Sequence, residues 1–176
     1  MGADNRSVWL TFRDALFLNF RDVGSDYRWI DARRFMVSGP SDDNTILAAL
    51  ISEARYDDGY AAPIQTEPGP PSGIHGPYRL DAITAASFVA TDRSAAIAAL
   101  DEWAFQFSEL PESFREKYRK FIDDLLPSSH RFYRLPNLRA TAQHDWGWVV
   151  GTSGFIEIVA ISPSSSALTL LVASDD

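Results

Sequence analysis

The spacing of apolar residues changes from a helical to a strand-like period near residue 130, and this change limits the possible folds more than any other feature of the sequence. Upstream, three segments repeat their apolar residues every three or four positions and begin at residues that suit a helix start: Ser41 or Asp42, Thr91 or Asp92, and Pro111. Downstream, apolar residues alternate in four short segments, which are 131–135, 145–150, 155–161 and 167–173. This order predicts an α+β fold: a single domain over residues 1–176, in which helices are followed by a C-terminal antiparallel β-meander and pack on one face of the sheet.

The first twenty residues carry two patterns at once. Four large residues share one face of a helix: Trp9, Phe12, Leu16 and Phe20. Leu16, Leu18 and Phe20 also alternate as they would in a strand. Both interpretations stay open for residues 8–20, and we prefer the helix.

A Pro/Gly-rich segment interrupts the helical part of the chain at residues 59–77. Its five prolines and four glycines remove backbone donors and disfavour regular structure. Short strands are predicted on either side of it, at residues 34–38 and 85–91. A connection of this length in a compact domain is either a functional flap or a flexible insertion, and we expect a flexible loop.

Charge and composition exclude several classes of protein. The chain has 24 acidic and 16 basic residues among its 176, and the resulting net charge of −8 argues against a nucleic acid as partner. Its 45% of hydrophobic residues is typical of a globular protein, and no membrane partner is expected. Residues 1–13 contain no apolar run of signal-peptide length, so we expect a cytoplasmic location.

Motifs for the common catalytic and cofactor chemistries are missing from the sequence. Without cysteine, disulfides, thiolate nucleophiles and cysteine-ligated metals are excluded. His75, His130 and His144 are isolated from one another and lack metal-ligand spacing. No phosphate-binding loop, dinucleotide fingerprint or nucleophile elbow occurs. We therefore expect no metal and no cofactor, and the sequence identifies no catalytic residue.

The most informative segment is a predicted hairpin at residues 146–161, whose turn is Gly-Thr-Ser-Gly at 151–154. A two-residue loop at this turn places Trp148 opposite Glu157 and gathers aromatic side chains around that carboxyl group. Such a carboxyl group must be paired, exposed at a rim or protonated. Glu157 is therefore either part of an aromatic cleft or paired with a nearby arginine, and we favour the pair. The candidate partners are Arg131, Arg134 and Arg139.

If the cleft forms, its candidate ligand-binding residues are Trp146, Trp148, Glu157 and His144. His144 would lie four positions along the strand pair from Glu157, roughly 13 Å at about 3.3 Å per residue. The two side chains therefore cannot share a hydrogen bond.

An acidic surface on the helix after Pro111 is the second candidate site. Its acids are Glu112, Glu116, Asp123 and Asp124. Such a surface attracts a basic partner at long range. The sequence therefore favours a small acidic, cytoplasmic protein-binding domain without catalytic activity, comparable to small inhibitor or immunity proteins. The alternative is an enzyme or small-molecule-binding protein that uses the aromatic cleft.

Overall fold

A six-stranded antiparallel sheet is the centre of the fold. The computed structural model describes residues 8–24, 27–39, 41–62, 67–107 and 109–175. The sheet strands in chain order are β1 (Trp9–Asn19), β2 (Arg28–Ser38), β5 (Val89–Thr91), β6 (Arg131–Leu135), β7 (Ile156–Ile161) and β8 (Ala167–Asp175), and a separate two-stranded hairpin consists of β3 (Ile74–His75) and β4 (Tyr78–Arg79). In space the large sheet runs β1-β2-β8-β7-β6-β5, and every neighbouring pair is antiparallel. The α+β class is thus confirmed, and the predicted C-terminal meander is present in part, as the three strands β6, β7 and β8.

The helices begin where the capping residues predict. They are α1 (Asp43–Ile51), α2 (Arg93–Phe105), α3 (Glu112–Leu125) and the single turn α4 (Arg139–Ala142). The Asp42 carboxylate accepts the Thr45 amide at the start of α1, and the Asp92 carboxylate accepts the Ala95 amide at the start of α2. Within the described ranges, none of the helices is long and apolar enough to cross a membrane.

Helices cover both faces of the sheet, so the prediction that they pack on one face is wrong. α2 and α3 pack on one face, in a core that includes Phe20, Ile30, Leu100, Tyr118 and Ile158. α1 and several irregular segments cover the other face, in a core that includes Phe35, Leu50, Tyr56, Leu135 and Leu170. β8 is buried at nearly every position, and a strand buried on both sides needs a layer on each face.

The helix preferred for residues 8–20 is also wrong, because this segment forms β1. The sheet therefore begins at the N-terminal end of the described chain, and the predicted order of helices before strands holds only in part. A β-bulge between Phe12 and Asp14 shifts the β1–β2 register. It places Leu10 and Phe12 on the α1 face and Leu16 and Leu18 on the α2/α3 face.

Other strand boundaries also differ from the predictions. The strand predicted at 145–150 is a run of turns, so the hairpin 146–161 does not form. The strand predicted at 85–91 is confined to β5, after a short 3-10 turn at Ala85–Ser87. The strand predicted at 34–38 extends backwards to Arg28.

The Pro/Gly-rich segment is tied to the fold at its C-terminal end. The Asp57 carboxylate accepts backbone amides of Ser72, Gly73 and Ile74 and also the Ser72 hydroxyl. β3 follows at once and pairs with β4. Residues 63–66 lie outside the described residues, and the flexibility of the loop stays a prediction.

Asp43 joins α1 to strand β6 and provides a test of this packing. Its carboxylate accepts two bonds from Arg131, at 2.6 and 2.7 Å, and one from the Tyr133 hydroxyl at 2.7 Å. The hydrogen bonds from Arg131 lower the pKa of Asp43. The stabilisation is therefore present above the ordinary aspartate pKa and is lost as the pH falls through the lowered pKa of the folded state.

We expect Asp43→Asn to lower the free energy of unfolding by about 1–2 kcal/mol at neutral pH. The difference from wild type should shrink as the pH falls below about 4. Urea unfolding at several pH values measures both effects, with the exposed Glu102→Gln on α2 as control. A difference that persists unchanged at low pH would contradict the assignment.

Candidate functional site

Glu157 lies in the middle of the sheet and is fully buried. Its strand β7 pairs it with Leu135 on β6 and Val172 on β8. Its neighbours Ile156 and Ile158 pack towards α2 and α3, so Glu157 points to the opposite face, where α1 and the irregular segments lie. A carboxyl group at such a position has to find polar partners in the layer above the sheet.

Those partners are Tyr56 and His75, and with Glu157 they form the buried triad. The Tyr56 hydroxyl donates to one Glu157 oxygen at 2.9 Å, and His75 Nε2 lies 2.7 Å from the other oxygen. The Tyr56 and His75 rings stack with their centroids 3.7 Å apart and their planes within 9°. All three side chains are inaccessible to solvent. Both Glu157 carboxyl oxygens therefore have a hydrogen-bond partner inside the protein.

The positions of the ring protons on His75 follow from its neighbours. Nδ1 lies 2.6 Å from the Tyr56 carbonyl oxygen, which can only accept, so Nδ1 carries a proton. Nε2 then either donates to a Glu157 carboxylate or accepts from a protonated Glu157 carboxyl. In both cases one proton is shared between His75 and Glu157, and neither ring nitrogen is free to take a proton from a substrate.

A cluster of charged side chains around Arg33 of β2 supports the segments that carry the triad. Buried Arg33 binds Asp31 at 2.8 Å and Asp58 at 2.5 Å, and its guanidinium lies 5.0 Å from the centre of the Tyr60 ring. Asp58 in turn accepts the Tyr60 amide, and its carbonyl accepts the amide of the glycine that follows His75. Strand β2 is therefore connected to the segment that carries His75.

Burial keeps the two tyrosines of this layer protonated. It raises the pKa of Tyr56 well above its usual value, and the neighbouring Glu157 carboxylate raises it further. It also raises the pKa of Tyr60 well above its usual value. Both tyrosines are therefore protonated near neutral pH, and neither is a source of phenolate: the Tyr56 hydroxyl donates to Glu157, while the buried Tyr60 hydroxyl has no hydrogen-bond partner among the described residues.

The predicted pairing of Glu157 with an arginine is wrong. Arg131 binds Asp43 instead, as described above, and Arg134 lies opposite Ile158, on the other face of the sheet from Glu157. Arg139 donates to backbone carbonyls, those of Gly147, Val150 and Gly151, at 2.5–2.7 Å. The polar partners of Glu157 are instead the Tyr56 hydroxyl and the His75 ring, which the sequence pattern did not indicate.

Trp146 and Trp148 lie apart from Glu157, on a turn-rich segment of residues 144–151 that we call the tryptophan turn. Their side chains are 72% and 61% exposed, while Glu157 is sealed under Tyr56 and His75. His144 is half-buried at the start of the turn. The structure thus brings His144 close to Trp146 and Trp148, and it does not bring these three residues together with Glu157.

The tryptophan turn is held by contacts on its inner side. Arg139 binds three of its carbonyls. Gly147 packs directly on the Pro77 carbonyl, and a side chain at that position would clash with it. The His144 amide donates to the same Pro77 carbonyl at 3.2 Å. The hairpin that carries His75 therefore also supports the turn that carries Trp146 and Trp148.

His144 has a defined tautomer in this arrangement. Its Nε2 lies 2.9 Å from the Gly76 carbonyl, so Nε2 carries the proton. Its Nδ1 accepts the Trp146 amide at 3.2 Å. The ring therefore joins the β3–β4 hairpin to the backbone of the turn.

The acids predicted as a partner-binding surface all lie exposed on α3, and three of them have basic neighbours. Glu112 binds Arg115 at 2.7 Å, Asp123 binds Arg93 at 2.5 Å, and Asp124 binds Lys120 at 2.7 Å. Glu116 is the fourth acid, and α3 carries four acidic and four basic residues. The helix itself therefore has no excess of negative charge.

A small polar pocket lies at the edge of the same layer. Its volume is about 220 Å³, and its lining includes Arg33, Arg55, Asp57, Asp58 and Glu67. Within the described ranges, no three His, Asp or Glu side chains come together in a way that could hold a metal ion. The pocket therefore has charges of both signs and no assembled ligand set.

Comparison with known proteins yields no relative. No protein-family model matches the chain, and no curated protein and no solved structure matches it. The function is therefore argued from the geometry and charge of the sites themselves.

Substitution of Glu157 tests the hydrogen-bond pattern of the buried triad. In Glu157→Gln the amide oxygen can accept from Tyr56 and the amide nitrogen can donate to Nε2 of a neutral His75, so we expect a loss of about 1 kcal/mol or less. Glu157→Leu leaves the Tyr56 hydroxyl and His75 Nε2 without partners, and we expect a loss of roughly 2–5 kcal/mol.

Thermal and urea unfolding of the two variants at neutral pH measure the difference. Glu116→Gln on the exposed face of α3 is the control and should behave as wild type. If the Gln and Leu variants are destabilised equally, the proposed positions of the protons are wrong.

Proposed function

We propose that the chain is a non-catalytic protein-binding domain that holds a basic partner through the tryptophan turn. The observation that carries this proposal is the exposure of Trp146 and Trp148 on a segment that Arg139 binds at three backbone carbonyls. Large exposed aromatic groups are typical of binding surfaces, and tryptophan is among the residues most enriched in binding hot spots.

The anchoring of the turn supports binding by a preformed surface. Arg139, His144 and the contact of Gly147 with Pro77 fix the backbone between the two tryptophans. A surface that is already ordered loses little conformational entropy when a partner binds. The two indole rings are therefore available at low entropic cost.

The charge around the turn supports a basic partner. The chain carries a net charge of −8. Asp145 is exposed between His144 and Trp146. Indole faces attract cations, so a partner with Lys or Arg side chains fits both the charge and the aromatic surface.

This proposal moves the binding surface from α3 to the tryptophan turn. The ion pairs of α3 balance most of its acids locally, which reduces the field that Glu112, Asp123 and Asp124 could exert on a partner. The alternative function, an enzyme or small-molecule-binding protein, requires Glu157 to share a cleft with the tryptophans. The contacts of Glu157 with Tyr56 and His75 give that alternative no support.

The test is capture of a partner from lysate of the source cells by immobilised wild type and variants, at low and at high salt. Trp146→Ala/Trp148→Ala should lower the affinity for the captured protein by roughly 30-fold or more, as expected for a hot spot. Capture should weaken at high salt because the partner is basic.

Tyr27→Ala is the matched control, since Tyr27 is also a large exposed aromatic residue but lies outside the turn. It should bind as wild type does. Equal binding by the double tryptophan variant, or a captured partner that is acidic, would overturn the proposal.

A further inference from the structure

The two edges of the large sheet differ in length and in what lies beside them. β5 forms one edge with three residues, while β1 forms the other edge with eleven. In the described part of the chain, no strand pairs with the outer side of β1. A long open edge presents a row of backbone donors and acceptors that another strand can bind.

A groove runs between the first half of β1 and helix α1, on the same side of the molecule as this edge. Its volume is about 480 Å³, and its lining includes Val8, Trp9, Leu10, Ala48 and Ala49. Trp9 is 67% exposed. The small side chains of α1 therefore leave room beside β1 for an apolar group from outside.

We propose that a second copy of this chain binds here, through antiparallel pairing of β1 with β1 of the other copy about a twofold axis at the bulge. The bulge makes this register self-consistent. Phe12 then faces Ala15 of the second copy, and Leu10 faces Phe17 of the second copy. The bulge shifts the alternation of side chains between the two halves of β1. The two residues of each facing pair therefore lie on the same face of the joined sheet.

In this register the second copy fills the groove. Phe17 of the second copy lies opposite Leu10 on the face that α1 covers, so its ring enters the space beside Ala48 and Ala49. Phe17 is only partly buried within its own chain. Trp9, which borders the groove, lies opposite Leu18 of the second copy. Both aromatic groups thus become covered by one symmetric contact.

The charges at the axis are complementary. Arg13 and Asp14 lie at the bulge, with exposed side-chain fractions of 61% and 37%. The twofold axis brings Arg13 of each copy close to Asp14 of the other. Asp14 is also bound by Arg34 of its own chain at 2.5 Å. In the dimer the two Asp14 carboxylates therefore lie near four guanidinium groups, those of Arg13 and Arg34 in each copy.

Sedimentation equilibrium of the full chain at micromolar concentration tests the proposal. Wild type should be a dimer. Ala48→Glu places a charge in the groove, and Arg13→Glu removes the attraction at the axis. Each should raise the dissociation constant at least tenfold while the monomer keeps a cooperative melt. Ala98→Glu is the control, since it puts the same charge on an exposed position of α2.

Because the chain has no cysteine, a single introduced thiol reports the register. Arg13→Cys, at a protein concentration well above the dissociation constant measured for Arg13→Glu, should form a covalent dimer with a short bismaleimide, whereas Ser94→Cys on α2 at the same concentration should not. A monomeric wild type overturns the proposal. So does a dimer that Ala48→Glu and Arg13→Glu both leave intact, or equal cross-linking of the two cysteine variants.

Discussion

The carboxyl group of Glu157 sets the main constraint on this fold, because it lies in a central strand where water cannot reach it. A buried carboxyl group without polar partners is unfavourable by several kcal/mol. Tyr56, from a short 3-10 turn, and His75, from strand β3, supply those partners on the α1 side of the sheet. The layer over this face therefore needs fixed polar contacts, while the layer formed by α2 and α3 packs mainly through apolar side chains.

The same polar contacts lead outwards to the surface. His75 fixes the β3–β4 hairpin, and the carbonyls of the two residues that follow it, Gly76 and Pro77, accept from His144. His144 in turn accepts the amide of Trp146. Hydrogen bonds and the covalent step from His75 to Gly76 thus connect the middle of the sheet to the backbone amide of Trp146. Disorder at the buried end would spread to the tryptophan turn, because each step depends on the position of the previous backbone segment.

Elements whose signals are local could be predicted from the sequence. α1 and α2 have an Asp cap followed by an apolar face. β1 could not, because its bulge breaks the alternation, so residues on opposite faces of a strand acquire the spacing of a helix. The triad could not either. His75 and Glu157 lie 82 residues apart, and an isolated histidine in a Pro/Gly-rich segment shows no partner in the sequence. The sequence pattern places Glu157 near aromatic residues around Trp148, whereas the side chains that bind it are Tyr56 and His75.

The contacts of Asp57 have a consequence for what this chain can tolerate. Its carboxylate gathers the amides of Ser72, Gly73 and Ile74, and buried Tyr60 fixes the other end of the same segment. The two ends of residues 61–71 are therefore held independently of the length between them. Since doubling the length of a closed loop costs only about 0.6 kcal/mol, foreign peptides could be inserted here without disturbing the sheet. The fold thus offers a natural display site, on a loop that shares its anchoring layer with the buried triad.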